Sequence, residues 1–417
     1  MRSTSFNSGW GLRASRFGAG LGLCVALFGA ACLVPASAQE SVRPEVGRPL
    51  QAANDLIRAQ RFKQALDKVR EADAVGGKSA NESYLIERMR LAAASGAGEV
   101  DTAARSFEAV SGRVSGPDKL RMIESLAGAY YRAHDYPKAM QWGQRYFREG
   151  GSSGAIRTLL IQSQYLSGDY AGAARELRTE IEQAERSGAA PAEDRLNLLV
   201  NATLKMNDTN GYVWALERLV THYPKKAYWV DLLTRLQRKP NFSDRLALDT
   251  YRLSLATGSM SAANDYMEMT QLALQAGHPA EAKQVVDKGF AAGVLGAGPE
   301  AERHKRLRDL VAKRIDEDTK GQAADLAQAE AAKDGSDLVD IGMNRVFAGD
   351  KTGGLQLMQK GIAKGNLKRP DDARLHLAEA QLAVGDNTKA LVTLRDVKGN
   401  DGTADLARLW TLFAKRK

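Results

Sequence analysis

The 417-residue chain is poor in residues that staple, break or react. Its two cysteines, Cys24 and Cys32, both lie within the first 38 positions. The remainder therefore has no thiol for a disulfide, a thiolate nucleophile or a zinc–thiolate site. Eleven prolines leave long helical stretches uninterrupted, and an aromatic content of 6% offers little platform for stacking nucleic-acid bases. Tyr228-Trp229 and Tyr251 sit at packing spacing. None of the five histidines (His134, His222, His278, His304, His376) stands three or four residues from another, and no HExxH or Cys/His cluster supplies a zinc ligand set. They fall in turns or near helix ends, where solvated or capping roles are expected, and a long-range histidine pair would need acidic ligands that the sequence does not single out. Sustained alternation of β-branched residues is scarce, which argues against sheet.

The catalytic signatures are missing too. There is no GxxxxGK[ST] phosphate loop and no GxSxG elbow. The glycines from Gly293 to Gly298 follow a helix rather than the strand that a dinucleotide fold requires. Asp208-Thr209-Asn210-Gly211 opens like a calcium loop but has no closing glutamate, so it reads as a turn. Any carboxylate pair picked for acid–base chemistry would be arbitrary. The sequence predicts no catalytic residue, no metal and no cofactor, and the chain is read as a non-enzyme.

What is present begins with an address. Arg13 and Arg16 precede an apolar run from Phe17 to Val34, and Ala36-Ser37-Ala38 supplies a small-x-small cleavage site before Gln39. The expectation is a cleaved signal over 1–38 and a mature chain in the periplasm of a Gram-negative bacterium. An uncleaved anchor over the apolar run and a lipid anchor at Cys32 are the alternatives. The net charge is +9, and removing Arg2, Arg13 and Arg16 with the leader leaves about +6, a balance that does not require nucleic acid as a partner.

The body is organised around residues 120–153. Ile123, Leu126, Ala127 and Tyr130 fall on one helical face, His134-Asp135 breaks it, and a second helix carries Ala139, Trp142 and Tyr146. Small residues recur in the second helix of each such pair. Ala65, Ala103, Ala139 and Ala173 stand 38, 36 and 34 positions apart, and later marks fall at Ala215, near Ala247 or Leu248, and at Ala282, Gly354 and Ala390. First helices are expected over 47–59, 81–95, 120–133 and 155–167. The run Arg303-His304-Lys305-Arg306-Leu307-Arg308 reads as a solvated face over a stripe of Leu307, Leu310 and Val311.

This pattern resembles the tetratricopeptide repeat, a 34-residue helical hairpin, through Leu126, Ala127, Tyr130 and Ala139, though Gly143 stands where that family favours an aromatic. Gly361 and Gly365 also resemble Sel1-type units. The resemblance implies an all-α fold, a right-handed α-α superhelix of about nine or ten hairpins. The expected divisions are an N-terminal array over 39–184, a loop over 185–195, a central array over 196–292, a Gly-rich break and weak helical pair over 293–335, and late repeats with a polar capping helix over 336–417. The resemblance places groove positions at Asn54, Arg58, Arg88, Arg121, Glu124, Tyr131, Arg132, Gln162, Tyr165 and Asn197. Mixed Arg, Gln and Tyr there suit an acidic or amide-rich strand. The function expected is a periplasmic scaffold binding an envelope protein or peptide. A polymer- or cell-wall-binding accessory or enzyme, and a peripheral membrane association, stand as alternatives.

Overall fold

The computed structural model describes residues 42–416; the expected leader over 1–38 and both cysteines lie outside the described residues. Twenty α-helices and no strand occur among the described residues. In chain order they are α1 (Pro44–Arg58), α2 (Phe62–Asp73), α3 (Ala80–Ala97), α4 (Val100–Val110), α5 (Gly116–Arg132), α6 (Tyr136–Arg148), α7 (Gly154–Leu166), α8 (Tyr170–Arg186), α9 (Glu193–Lys205) and α10 (Thr209–His222). There follow α11 (Lys226–Gln237), α12 (Ala247–Thr257), α13 (Ala263–Gln275), α14 (Pro279–Ala291), α15 (Ala301–Ala331), α16 (Ser336–Ala348), α17 (Lys351–Lys364), α18 (Pro370–Ala383), α19 (Asn387–Arg395) and α20 (Thr403–Ala414). Successive helices pack as the pairs α1–α2, α3–α4, α5–α6, α9–α10, α13–α14, α16–α17 and α18–α19, and the expected all-α helical-repeat fold is the one observed.

The hairpin turn has a local grammar. Five second helices open on an aspartate whose Oδ1 accepts a hydrogen bond from the backbone N–H three residues on: Asp135 from Lys138 at 3.2 Å, Asp169 from Gly172 at 2.8 Å, Asp208 from Gly211 at 2.9 Å, Asp350 from Gly353 at 2.9 Å and Asp386 from Lys389 at 3.1 Å. Each satisfies an amide that the first helical turn leaves without a carbonyl partner. The residue before each aspartate reverses the chain in the left-handed region, as His134 (φ 60°), Gly168 (φ 86°), Asn207 (φ 56°), Gly349 (φ 106°) or Gly385 (φ 91°). Asp208-Thr209-Asn210-Gly211, read from the sequence as a turn, opens α10.

The small residues act as spacers. Ala65, Ala139, Ala173, Ala215, Ala282 and Ala390 are fully buried, and Ala103 is nearly so. One close approach is between α16 and α17, where a Cβ on Gly354 would lie 2.6 Å from the carbonyl oxygen of Gly342. Only glycine lets the two backbones meet there.

Two compact units result, dividing after Ala173. In the first, helices pack against sequence neighbours, and one core runs from Val46 through Phe107 and Trp142 to Ile156. Phe107 and Trp142 meet edge-to-face at 5.3 Å. Burying each such ring contributes about 1.5–3 kcal/mol.

The second unit departs from expectation in two places. Residues 301–331, read as a weak helical pair, form one 31-residue helix. His304, Leu307, Val311 and Ala329 face inward, while most of its middle is solvated; Leu310, expected in the apolar stripe, is 43% exposed. The loops flanking it hold most of the breakers, whereas Gly321 alone does not stop a helix otherwise rich in good formers. The last helix buries an apolar face within the unit. Leu406, Leu409, Trp410 and Phe413 of α20 are buried, and α20 packs on α10 and α12 as well as on α18 and α19. The end of the unit thereby closes on helices about 150–190 positions earlier, a contact that an open stack of nearest neighbours does not make.

Candidate functional site

In the first unit the face of α1, α3, α5 and α7 carries nine of the ten expected groove residues. Tyr131 and Gln162 are brought together across α5 and α7, the tyrosine hydroxyl donating to Gln162 Oε1 at 3.0 Å. Tyr131 and Tyr165 stand 34 positions apart, and each packs edge-to-face on a tyrosine opening the next helix: Tyr136 at 5.7 Å and Tyr170 at 5.2 Å. Burial raises the hydroxyl pKa of both. Arg88 lies over the Tyr84 ring at 5.7 Å, shared with Arg113 at 5.2 Å. Glu124 accepts from Ser153 Oγ at 3.4 Å, and Arg121 is occupied by an ion pair with Asp118 on its own helix. Arg58 and Arg132 are exposed, and Asn54 is half-buried. Asn197, in the second unit, donates to Tyr228 Oη at 3.0 Å.

The entry to this face is pinned by Glu82. It caps α3 through the Ser79 amide at 2.9 Å and receives Arg43 Nη2 at 2.9 Å. The Arg43 hydrogen bond, followed by the Ser79 amide, holds its carboxyl down at about 2.

A second constellation, in the other unit, was not foreseen. Arg252 on α12 is 5% exposed and bonds in four directions. Nη1 reaches Asp249 Oδ1 at 2.8 Å and Glu379 Oε2 on α18 at 3.1 Å. Nε and Nη2 fork onto the two oxygens of Glu281 on α14, each at 2.8 Å, and Nη2 also lies 3.1 Å from His278 Nδ1. His376 Nε2 sits 3.0 Å from Asp249 Oδ1, and Trp410 Nε1 on α20 donates to Glu379 Oε1 at 2.9 Å. Asp249, Glu281, Glu379 and His278 are all at least nine-tenths buried; His376, at 20%, is the one member with appreciable solvent access.

The electrostatics follow from crowding charges out of water. Burial alone would raise the carboxyls of Asp249 and Glu281, but His376 and Arg252 at the first and Arg252 at the second outweigh it and hold both at about 2. Glu379 goes the other way: burial, then the charge of Asp249, pushes it up to about 8. Burial would lower His376, yet Asp249 reverses that and lifts it to about 9.

Two histidines thus depart from the solvated or capping roles expected of them. His278 occupies the N-cap position of α14 without capping it, its ring turned to Arg252. His376 lies in the middle of α18 and pairs with Asp249, 127 positions away. His304 does act locally, accepting the Gly296 amide at 3.1 Å.

Asp249, His376 and Glu379 offer ligand atoms within 4.8 Å of one another, a spacing that suits a metal ion. Their surroundings do not. Arg252 Nη1 already bonds to both carboxylates, and the other oxygen of Glu379 is taken by Trp410. A cation placed there would face a guanidinium at contact distance, so the group fits an ion-pair network rather than a metal.

No protein-family model matches the chain, and no curated protein matches it. Among solved structures it is similar to the TPR2AB domain of yeast Sti1 in its complex with pHSP90, at 14% identity over 72% of this chain and 100% of that one, with a TM-score of 0.24. Yeast Tom70 follows at 12% identity, 89% and 96% coverage and a TM-score of 0.23. The maize pentatricopeptide repeat protein PPR10 stands at 12%, 87%, 61% and 0.29. Scores of this size carry no argument about function, and the class, an α-helical repeat protein, rests on the paired helices themselves. No helix among the described residues is long and apolar enough to cross a membrane.

Proposed function

We propose that the chain is a non-catalytic scaffold that binds an extended segment of another protein along the first-helix face of its first unit. The observation that carries this is the repeated surface of α3, α5 and α7, where Arg88, Arg132, Gln162 and Tyr165 lie outside the core cluster and Tyr131 rests half-buried against its edge. Arg132 has no carboxylate partner among the described residues, and Arg88 has only the Tyr84 ring. Cations held this way suit an acidic or amide-rich strand, with the tyrosines supplying amphipathic contact. The leader motif of residues 13–38 supports a periplasmic setting, with an envelope protein as the partner.

The test is pull-down from envelope extract with three forms of the mature chain: wild type, Arg88→Glu with Arg132→Glu, and Lys305→Glu with Arg306→Glu on the solvated side of α15 as a control. The reading expects a stoichiometric partner with wild type and control that is lost at least tenfold with the face variant. Equal recovery on all three, or no partner under crosslinking at Arg121 and Tyr165, contradicts it. Mass spectrometry of the mature N-terminus separates a free Gln39 from an acylated Cys32.

A further inference from the structure

The network around Arg252 does more than fill a core. It joins α12 and α14 to α18 and α20, elements separated by roughly a hundred residues or more, at the place where the second unit closes. The same closure carries other pairs. Arg245 Nη2 bonds to Asp372 and Asp401, each at 2.7 Å, Lys239 to Asp405 at 2.8 Å, and Arg408 to Glu217 at 2.7 Å. The Ser243 amide donates to the Asp401 carbonyl at 2.9 Å. These outer pairs include partners in ready contact with water. The inner network is buried, and its geometry links the docking of α18 and α20 to the number of protons it holds.

We propose that this network is a proton-controlled latch, in which loss of protons from Glu379 and His376 loosens α18 and α20 from α12 and α14. This inference is independent of the binding role given to the first unit.

The groups that face the latch are few enough to name. Asp249 and Arg252 come from α12, His278 and Glu281 from the start of α14, and Asp337 and Asp340 from α16. Asp372, His376 and Glu379 come from α18, with Arg245 and Arg369 beyond Asp372. Trp410 of α20 supplies a neutral donor. With Glu379 protonated and His376 charged, the inner five (Asp249, Arg252, Glu281, His376, Glu379) are neutral in sum. Removing the Glu379 proton leaves one uncompensated negative charge in a buried site, and removing the His376 proton leaves two. Asp340 and Asp372, each raised by burial, offer no cation to offset them.

The pH window follows from the folded-state values. Glu379 is raised from 4.5 to about 8, so its favourable contribution is complete below about 4.5 and falls away as pH rises through about 8. His376 is raised from 6.5 to about 9, so its contribution is complete below about 6.5 and falls away through about 9. The two losses overlap between about 6.5 and 8. There each proton held in the closed state but not the open one changes the opening equilibrium by about tenfold per pH unit.

Hydrogen exchange of the full chain at pH 6.5, 7.25 and 8, corrected for intrinsic rates, tests this. Amides of α12, α18 and α20 are expected to lose at least tenfold in protection across the series, while those of α5 and α6 stay level. Glu379→Gln keeps an acceptor but cannot ionise, and it is expected to flatten the slope. Protection in α18 and α20 that tracks α5 and α6 in the wild type overturns the proposal, and that comparison stands even if the variant does not fold. A folded Glu379→Gln protein with the wild-type slope overturns it equally.

Discussion

The two units solve the same packing problem with different reach. In the first, side-chain pairs join adjoining hairpins: Tyr130 to Asp101 across 29 positions, Arg145 to Glu108 across 37, Arg43 to Glu82 across 39. In the second, Arg252 reaches Glu379 across 127 positions and Lys239 reaches Asp405 across 166. The first unit can therefore lose order hairpin by hairpin. The second gains or loses its closure as a whole. In an array held by nearest neighbours polar contacts stay between adjoining hairpins, whereas closure brings polar groups of distant helices of the second unit onto one another.

The largest expected effect tests that difference directly. Arg252→Ala leaves the buried carboxyl groups of Asp249, Glu281 and Glu379 without the guanidinium between them and is expected to destabilise the second unit by about 3–5 kcal/mol. Guanidinium unfolding followed by hydrogen exchange should show α12 through α20 losing protection while α1 to α6 keep theirs. Phe107→Ala in the first unit removes a buried ring and costs about 3–5 kcal/mol, but the loss should centre on α4 and α6 and fade within one hairpin. Equal spread of damage from the two substitutions would erase the distinction.

Smaller changes sharpen it. Gly342→Ala would place a Cβ 2.6 Å from Met358 Cγ and 2.7 Å from the Gly354 carbonyl oxygen, forcing α16 from α17. A loss of about 1–3 kcal/mol is expected, read as a lower denaturant midpoint. Asp208→Ala removes the cap of α10 and should cost about 0.5–2 kcal/mol, with exchange rising first at Gly211 and its neighbours.

The contrast also marks what the sequence disclosed. The spacers at Ala65, Ala103, Ala139 and Ala173 were legible because a small residue at a helix crossing recurs at the repeat period, and first helices expected at 81–95 and 155–167 lie at Ala80–Ala97 and Gly154–Leu166. The aspartate caps were half-visible as the break at His134-Asp135 and the turn at Asp208-Thr209-Asn210-Gly211. Periodic features of this kind need only local physics. The latch needs long-range geometry. Asp249, Glu281 and Glu379 look like any other helical carboxylates, and His376 lies mid-helix with no partner within a turn. One signal was available: Arg252 and Asp249 lie on the same side of α12 as the buried Leu248 and Leu253, an ionisable pair on a largely inward-facing helix. The closure made by α20 was hidden for a related reason. Leu406, Leu409, Trp410 and Phe413 fit an inward stripe, but nothing local says which helices lie beneath it.

Native-state hydrogen exchange across a guanidinium series at pH 7 tests the central claim most directly. The account predicts that α10, α12, α18 and α20 merge into one opening step with a common free energy, while the hairpins of the first unit open at graded values. Fraying of α20 on its own, with α10 and α12 still protected, would contradict it.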